Sequence, residues 1–296
     1  MKENILITGA SGKVGREVVG RLHDRRARFV AASHHDSMFA PDVRCLKMDL
    51  GARSLVYESM KDVDLLFLNL PISESMVVYA QNAIMAAKNS GVKFMILTSI
   101  LGADPESRFL LQETYGAIEH MAKDSRIPVV ILRPNVYMQT FVTRHADSIR
   151  QGALFLPESE AKSSFVDIRD VADVAIKVIE NPWLYEGRTI SLTGPEALSN
   201  EDALQKIGRA IGRRVTYVPV TEAATRHRLL REGHSSWLVD AYLSIHRSAR
   251  EGMTSTVHPS NQQVRGVEPR SFDDFCIESS AVWSSPYSES LREANF

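Results

Sequence analysis

The sequence predicts an α/β fold built on a doubly wound parallel sheet, followed by a smaller, mostly helical domain. Short apolar runs alternate with segments of helical apolar spacing through the first 190 residues, which is typical of a parallel sheet covered by helices. A glycine-rich turn directly follows the first apolar run, and the pattern changes near residue 196. With 296 residues, the chain can form one large or two unequal domains.

Seven apolar runs are predicted strands, and the segments between them are predicted helices. Val14, Val18 and Leu22, for example, have the spacing of one buried helix face. Because crossovers between parallel strands are right-handed, helices should cover both faces, with a ligand crevice at the carboxyl ends of the strands. The predicted strands are residues 4–8, 28–33, 43–47, 64–68, 93–98, 128–132 and 188–193.

The second half of the chain is predicted to be mainly helical. A helix is expected over residues 168–180, and Ser199 to Asp202 resembles a capping box that opens a helix ending at Gly212. Residues 221–251 have helical composition and are rich in Arg and His. We therefore expect one domain over residues 1–195, a smaller substrate-binding domain over 196–280, and a serine-rich flexible tail over 281–296.

Composition excludes several classes of protein. The 35 basic and 36 acidic side chains give a formal net charge of -1, so no global field favours nucleic acid or an anionic membrane. Cys45 and Cys276 are too few for a disulfide framework or a zinc set, and no metal-binding His pattern occurs. No apolar run approaches the roughly 20 residues of a membrane span. We expect a cytoplasmic protein with no metal and no nucleic-acid partner, and leave an oligomer open.

A glycine pattern follows the first predicted strand. Residues 8–15 read Thr-Gly-Ala-Ser-Gly-Lys-Val-Gly and open an amphipathic segment. Glycines permit a tight turn, close approach of backbone amides to a pyrophosphate, and close packing of helix on strand, which defines the Rossmann dinucleotide site. The helix start adds N–H groups and a positive dipole. The predicted cofactor contacts here are Gly9, Ser11, Gly12, Lys13, Val14 and Gly15.

The end of the second predicted strand determines which nicotinamide cofactor is expected. Ser33, His34 and His35 stand where NAD-binding proteins carry a carboxylate, so NADPH is favoured. NADH stays possible if Asp36 reaches the ribose. Asp49, which with Leu50 follows the third strand, is expected either to bind the adenine amino group or to cap a helix.

The chain resembles the NmrA-like atypical short-chain dehydrogenases, and especially the bacterial NAD(P)H:quinone oxidoreductases among them. This resemblance implies a Rossmann core, a nicotinamide cofactor and a small C-terminal substrate domain. It covers nearly the whole chain. Besides the glycine loop, it rests on Gly91-Val92-Lys93-Phe94, Thr98-Ser99, Leu132-Arg133-Pro134-Asn135-Val136-Tyr137-Met138-Gln139, Phe165-Val166-Asp167-Ile168-Arg169-Asp170-Val171-Ala172 and Leu192-Thr193-Gly194-Pro195.

Ser99 and Tyr115 are the predicted catalytic residues. Short-chain dehydrogenases commonly use a Ser and a Tyr-x-x-x-Lys to protonate the oxygen that receives negative charge. Here Glu119 replaces the lysine, and a carboxylate one turn away favours the neutral phenol over the phenolate. Tyr115 is thus a candidate proton donor or substrate hydrogen-bond partner, or else a half-buried helix tyrosine, while Glu119 is expected to anchor its helix.

Further site residues are expected at the carboxyl ends of the later strands and in the C-terminal helices. Each predicted substrate contact could instead serve only in loop or domain packing. His246 and Arg247 follow the predicted substrate contacts of the C-terminal helices in the sequence and could reach a polar group of the substrate. The remaining predicted cofactor contacts are Asn69, Leu70, Pro71, Thr98, Ser99, Pro134 and Asn135, and the predicted substrate contacts are Tyr137, Gln139, Trp237 and Tyr242.

Three functions are compatible with these residues. The leading hypothesis is an NADPH-dependent reductase that transfers hydride to a small quinone, enone or aromatic carbonyl. A non-catalytic redox sensor that binds the dinucleotide is the first alternative, because the Tyr-Lys pair is missing. A sugar-nucleotide epimerase is the second, and the missing lysine counts against it.

Overall fold

The computed structural model describes residues 4–34 and 39–284, and its centre is a parallel sheet of seven strands. The strand order is β3-β2-β1-β4-β5-β6-β9, so the order reverses between β1 and β4, where such folds bind their ligands. All seven predicted strands are confirmed, with ends displaced by a few residues. They are β1 (Ile5–Ile7), β2 (Phe29–Ser33), β3 (Cys45–Lys47), β4 (Leu65–Leu68), β5 (Phe94–Thr98), β6 (Val129–Pro134) and β9 (Thr189–Leu192).

Helices cover both faces of this sheet, as the apolar spacing predicts. One face packs against α1 (Lys13–Asp24) and α6 (Ile168–Glu180), and the other against α2 (Arg53–Ser59), α3 (Met76–Asn89) and α4 (Leu110–Asp124). Neighbouring residues of one strand, such as Phe67 and Leu68, enter opposite cores because side chains alternate along a strand. The doubly wound fold is therefore confirmed.

The C-terminal lobe combines helices with two small sheets. Strand β7 (Ala153–Leu156) pairs in parallel with β11 (Thr216–Pro219), and β8 (Lys162–Ser163) pairs antiparallel with β10 (Leu198–Ser199). These pairs join residues on both sides of position 195, and the domain boundary predicted there stays a prediction. The elements are α5 (Ala146–Arg150), β7 (Ala153–Leu156), β8 (Lys162–Ser163), β10 (Leu198–Ser199), α7 (Asn200–Ile211), β11 (Thr216–Pro219), α8 (Glu222–Arg231), α9 (Ser236–Arg250), α10 (Ser260–Arg265) and α11 (Phe272–Ser284).

The predicted capping box of α7 is confirmed. The Ser199 hydroxyl accepts from the Asp202 amide, and the Asp202 carboxylate accepts from the Ser199 amide at 3.0 Å. Gly212 ends the helix in the left-handed conformation, with a φ of 68°. Both ends of this helix are thus determined locally by the side chains that the sequence supplies.

The predicted flexible tail begins too early at residue 281. Residues 281–284 complete α11, and Trp283 there is 1% exposed. Its indole N–H donates to the Phe141 carbonyl at 2.9 Å, so the large ring is both buried and satisfied. The rest of the predicted tail, 285–296, lies outside the described residues.

Helix α9 brings the C-terminal lobe against α4 at the carboxyl edge of the sheet. The Leu111 amide donates to the Ser244 hydroxyl at 3.2 Å, and Gln112 donates to Ser248 at 2.8 Å. Ala241 of α9 is buried in the same core as Tyr115 of α4. The lobe therefore covers the helix that carries the candidate catalytic tyrosine.

Two further findings concern the described residues only. Within 4–34 and 39–284, no helix is both long and apolar enough to span a lipid bilayer. Across the same ranges, no three or more His, Cys, Asp or Glu side chains are grouped so that they could hold a metal ion.

Candidate active site

The glycine loop closes tightly against the end of β4. Gly9 has a φ of 58°, and a Cβ at Gly9 would lie 2.7 Å from the Asn69 carbonyl oxygen. A Cβ at Gly15 would lie 2.2 Å from the Gly9 carbonyl oxygen, and the Gly12 amide donates to that same oxygen at 3.0 Å. Only glycine fits at these positions, and the resulting cradle lets a ligand approach the backbone closely.

The start of α1 directs the positive end of the helix dipole toward this cradle. Gly12 is the N-cap and supplies no side-chain hydrogen bond, and the first turn has no acidic residue. The helix start is therefore suited to an anion such as a pyrophosphate.

Two cations lie beside the loop. Lys13 donates to the Thr143 hydroxyl at 3.0 Å, which ties the loop to the segment that precedes α5. Partial withdrawal of its ammonium from water, together with the charge of Arg144, lowers the pKa of Lys13. Phosphate oxygens bound here would relieve the repulsion between these two cations.

The predicted cofactor-selecting residues are next to the loop as far as the structure describes them. The Ser33 hydroxyl donates to the Ser11 hydroxyl at 2.9 Å, which places the end of β2 against the glycine loop. His34 is exposed, whereas His35 and Asp36 lie outside the described residues. A preference for NADPH therefore depends here on Ser33, His34 and the neighbouring cations.

Asp49 stabilises the turn before α2. Its Oδ1 accepts from the Gly51 amide at 2.8 Å, and the Leu50 carbonyl accepts from Asn82. The N-cap of α2 is Ala52, so Asp49 holds the preceding turn instead of capping the helix. Adenine binding by Asp49 and a cofactor contact by Leu50 stay predictions.

The segment after β4 packs against the glycine loop, and its cofactor contacts stay predictions. The Asn69 amide donates to the Thr8 hydroxyl at 3.0 Å, and its side chain lies 3.4 Å from the Gly9 carbonyl oxygen. Leu70 is buried and Pro71 is exposed at the crevice end. The buried Thr98 hydroxyl, at the end of β5, has no hydrogen-bond partner among residues 4–34 and 39–284.

Ser99 is held by Glu119 and Arg133. Its hydroxyl donates to Glu119 Oε1 at 2.6 Å. Arg133 donates to both carboxylate oxygens, at 2.8 and 2.6 Å, and also to the Ala103 carbonyl. Glu119 thus ties α4 to the ends of β5 and β6. The Ser99 hydroxyl has a structural hydrogen bond in this group, and its catalytic role stays a prediction.

Tyr115 and Tyr137 are both neutral phenols. Burial raises the pKa of Tyr115 to about 12. Burial and the proximity of Tyr115 also raise the pKa of Tyr137. The structure therefore brings together, from α4 and from the segment after β6, two hydroxyls that can donate hydrogen bonds at neutral pH.

Two predicted site amides have structural partners. Gln139 donates to Asp167 at 2.9 Å and accepts from the Ile168 amide at 3.0 Å. Asn135 donates to the Ser164 hydroxyl and the Thr254 carbonyl, both at 2.8 Å. These side chains brace the crevice floor, next to the buried Pro134. Ligand contacts by all three residues stay predictions.

The two predicted pocket aromatics of α9 occupy different surroundings. Trp237 packs against the core shared with α4. Tyr242 lies under the Arg144 guanidinium, 4.6 Å from its carbon, and its ring centroid is 4.4 Å from that of His246. Burial raises the pKa of Tyr242, and Arg144 opposes that shift. Tyr242 therefore contacts charged and polar side chains, whereas Trp237 packs against the apolar core. Substrate contacts by both residues stay predictions.

The sequence analysis missed Glu158, whose carboxylate lies near this aromatic side. It accepts from Asn200 and lies 2.5 Å from the His246 ring. No motif marks Leu156-Pro157-Glu158, so only the folded chain reveals the residue. Nearby, withdrawal from water and the charge of Arg144 lower the pKa of His145 to about 3, so that ring stays neutral.

Together, the reversed strand order, the glycine cradle and the open helix start define a Rossmann-type dinucleotide-binding protein. Residues 1–275 match the NmrA-like family, and the chain belongs to that family.

Comparison with known proteins agrees with this assignment. The chain is 28% identical over 284 residues to the NAD(P)H azoreductase of Xenophilus azovorans, which covers 94% of this chain and 99% of that protein. It is 27% identical over 258 residues to quinone oxidoreductase 2 of Escherichia coli, covering 84% and 88% of the two chains. The structure of an NADPH-dependent quinone oxidoreductase of Escherichia coli in complex with NADPH superposes with a TM-score of 0.82 at 23% identity, covering 93% of this chain and 99% of that one.

Proposed function

We propose that the protein is an NADPH-dependent reductase that transfers hydride to a small quinone, enone or aromatic carbonyl. The coarser part of this statement, an NAD(P)H-dependent oxidoreductase, is the activity that the family membership and the named relatives support most strongly, and the chain is one. The observation that carries the proposal is the glycine cradle beside two neutral tyrosines at the same edge of the sheet.

The residues of the crevice fit a nicotinamide dinucleotide. Cβ atoms at Gly9 and Gly15 would clash with the carbonyl oxygens of Asn69 and Gly9, so glycine at both positions keeps the turn tight enough for backbone amides to approach a pyrophosphate. Lys13 and the first amides of α1 would hold the phosphates, and Ser33 stands at the ribose end. The partnerless hydroxyl of Thr98 is available to a polar group of the ligand.

The reduced nicotinamide supplies a hydride when it is bound. Tyr115, which stays protonated, donates a hydrogen bond to the acceptor oxygen as negative charge develops there. Burial strengthens that hydrogen bond because water does not compete for it. The Ser99–Glu119–Arg133 group fixes α4 and therefore the place of Tyr115 relative to β5.

The departure from the Tyr-Lys pattern indicates the class of acceptor. Glu119 is paired with Arg133, so no lysine lowers the pKa of Tyr115 and no phenolate is available to accept a proton from an alcohol. Oxidation of simple alcohols is therefore disfavoured. Reduction of electron-poor acceptors such as quinones needs less assistance and suits a neutral donor.

The test is the loss of NADPH absorbance with purified protein and a panel of quinones, enones and aromatic aldehydes or ketones. We expect turnover of at least one quinone, and a Tyr115→Phe variant with kcat/KM lower by about 10- to 100-fold and unchanged NADPH affinity. NADPH binding without oxidation by any acceptor would reject the reductase. A several-fold difference in affinity between NADP+ and NADPH would then favour the sensor.

A further inference from the structure

A histidine–carboxylate pair lies in the C-terminal lobe. His246 of α9 and Glu158, which follows β7, are 4% and 8% exposed. The ring Nδ1 lies 2.5 Å from Glu158 Oε1, and Asn200 donates to the other carboxylate oxygen. Both carboxylate oxygens are thus satisfied, and the imidazole is held in one orientation.

The second ring nitrogen of His246, Nε2, has different surroundings. A carboxylate accepts hydrogen bonds, so the ring donates to Glu158 from Nδ1. Nε2 is buried and has no hydrogen-bond partner within the described ranges 4–34 and 39–284. A buried polar atom without a partner costs about 1–3 kcal/mol, so a ligand that bonds to Nε2 would recover that cost.

A continuous set of contacts connects this pair with the cofactor cradle. His246 packs against the Tyr242 ring, and the Arg144 guanidinium lies over that ring, 4.6 Å from its centroid. Thr143, the residue before Arg144, accepts from Lys13 of the glycine loop at 3.0 Å. A short series of neighbouring residues therefore connects the pair with the dinucleotide loop.

Several charged and titratable groups surround His246. Glu158 is the one that bonds to it. Since His145 stays neutral down to a pH of about 3, it does not compete with His246 as a proton source. The other groups that act on this cluster are Lys13, Arg144, Tyr217, Arg228 and Tyr242.

We propose that His246, oriented by Glu158, donates a proton from Nε2 to the reduced acceptor. The proposal rests on the proposed reductase function. The acceptor gains a hydride, with its two electrons, from NADPH. In its doubly protonated form the ring carries one proton on Nδ1, facing Glu158, and one on Nε2. The Nε2–H bond of that form breaks, an O–H bond forms on the acceptor, and the electron pair of the broken bond stays on Nε2. One proton taken up from solvent then restores the doubly protonated ring.

Tyr115 is a candidate for two roles, hydrogen-bond donor and proton donor, and the proposal assigns these roles to two different residues. A phenol with a pKa of about 12 donates a hydrogen bond well but releases its proton poorly at neutral pH. Imidazole, by contrast, is the side chain that ordinarily exchanges a proton closest to neutral pH. Tyr115 thus stabilises the acceptor oxygen, and His246 supplies the proton.

The two nitrogen positions can be tested separately with 1,4-naphthoquinone as the probe. His246→Asn keeps an amide N–H near the Nδ1 position, facing Glu158, but removes Nε2. His246→Gln instead places an amide N–H near the Nε2 position but cannot release a proton. His227→Gln, at an exposed position of α8, is the matched control.

We expect His246→Asn to lower kcat/KM for NADPH oxidation by about 100-fold, with NADPH affinity and thermal stability close to the wild type. The control should match the wild type. A His246→Asn variant with kcat/KM within about twofold of the wild type would overturn the proposal. If that variant fails to fold, Glu158→Gln replaces it, and an unchanged kcat there would count equally against the pair.

A binding measurement distinguishes failure of this proposal from failure of the reductase function. Quenching of tryptophan fluorescence reports 1,4-naphthoquinone binding to the NADP+-loaded protein without turnover. If the wild type binds the quinone but does not reduce it, the reductase fails, and weaker binding by His246→Asn still supports a ligand on Nε2. Equal binding with kcat/KM within about twofold of the wild type, or no binding by either protein, would overturn the role of His246. Equal binding with a much lower kcat/KM is the result expected of a proton donor.

Discussion

The Ser99 hydroxyl donates to Glu119 at 2.6 Å, and Glu119 occupies the position four residues after Tyr115. Short-chain dehydrogenases commonly carry a lysine at that position, where it activates the tyrosine. Here the carboxylate instead binds Ser99 and Arg133. Burial raises the pKa of Tyr115 to about 12, so the phenol stays protonated. The candidate catalytic serine thus serves first to hold α4 against the sheet.

Replacing Ser99 tests whether that structural role is its main one. Ser99→Ala removes a buried hydrogen bond to a charged acceptor, so we expect the free energy of unfolding to fall by about 1.5–3 kcal/mol. Because the hydroxyl is committed to Glu119, kcat should fall less than about tenfold. Urea unfolding and NADPH oxidation measure the two quantities. A loss of kcat near 1000-fold with normal stability would instead assign Ser99 to catalysis.

The glycine cradle can be tested with two substitutions in the same helix. Gly15→Ala places a Cβ against the Gly9 carbonyl oxygen and should displace the loop, so we expect NADPH affinity to fall at least about tenfold. Gly20→Ala meets nothing within 4 Å and should stabilise α1 by up to about 1 kcal/mol. Titration with NADPH and thermal unfolding distinguish them. Equal affinities in the two variants would mean that the cradle does not hold the cofactor.

The choice between NADPH and NADH can be shifted at Ser33. Ser33→Asp places a carboxylate at the end of β2, where it binds a ribose 2′-OH and repels a 2′-phosphate. We expect NADPH affinity to fall about tenfold and NADH affinity to rise. The same substitution at exposed Ser54, in α2, should change neither value. Unchanged affinities for both cofactors in Ser33→Asp would place the 2′ position elsewhere.

Burial of Tyr115 should appear in the alkaline stability of the protein. Its pKa rises from an ordinary value of 10.0 to about 12, so folding favours the protonated phenol. The unfolded chain then loses this proton first as pH rises, and stability decreases between pH 10 and 12, by about 1 kcal/mol per pH unit. Tyr115→Phe should lose less stability over that range in urea unfolding. Parallel curves for the two proteins would contradict the burial effect.

Local patterns predict the sheet and the cofactor loop well because each depends on neighbouring residues. The strands follow from apolar runs, and Gly9, Gly12 and Gly15 follow from a turn that side chains would block. The ends of α7 are predicted for the same reason, since Ser199 and Gly212 act on their own helix.

Contacts between distant residues escape such patterns. Glu158 and His246 meet only after the lobe has folded. Trp283 is buried with its indole N–H bonded to the carbonyl of Phe141, which is far away in the sequence. Conversely, a conspicuous motif can be structural: Asp167 caps α6, and buried Asp170 pairs with Arg270. Sequence spacing indicates neither distance nor role in these cases.

The parallel pairing of β7 with β11 affects how the chain can fold during synthesis. Ala153 aligns with Thr216, and Leu156 with Pro219, so β7 emerges from the ribosome well before the strand that completes its sheet. Until then its edge offers unpaired backbone groups to any other strand. The dinucleotide-binding half can assemble early, whereas the lobe that covers α4 forms only when most of the chain is present.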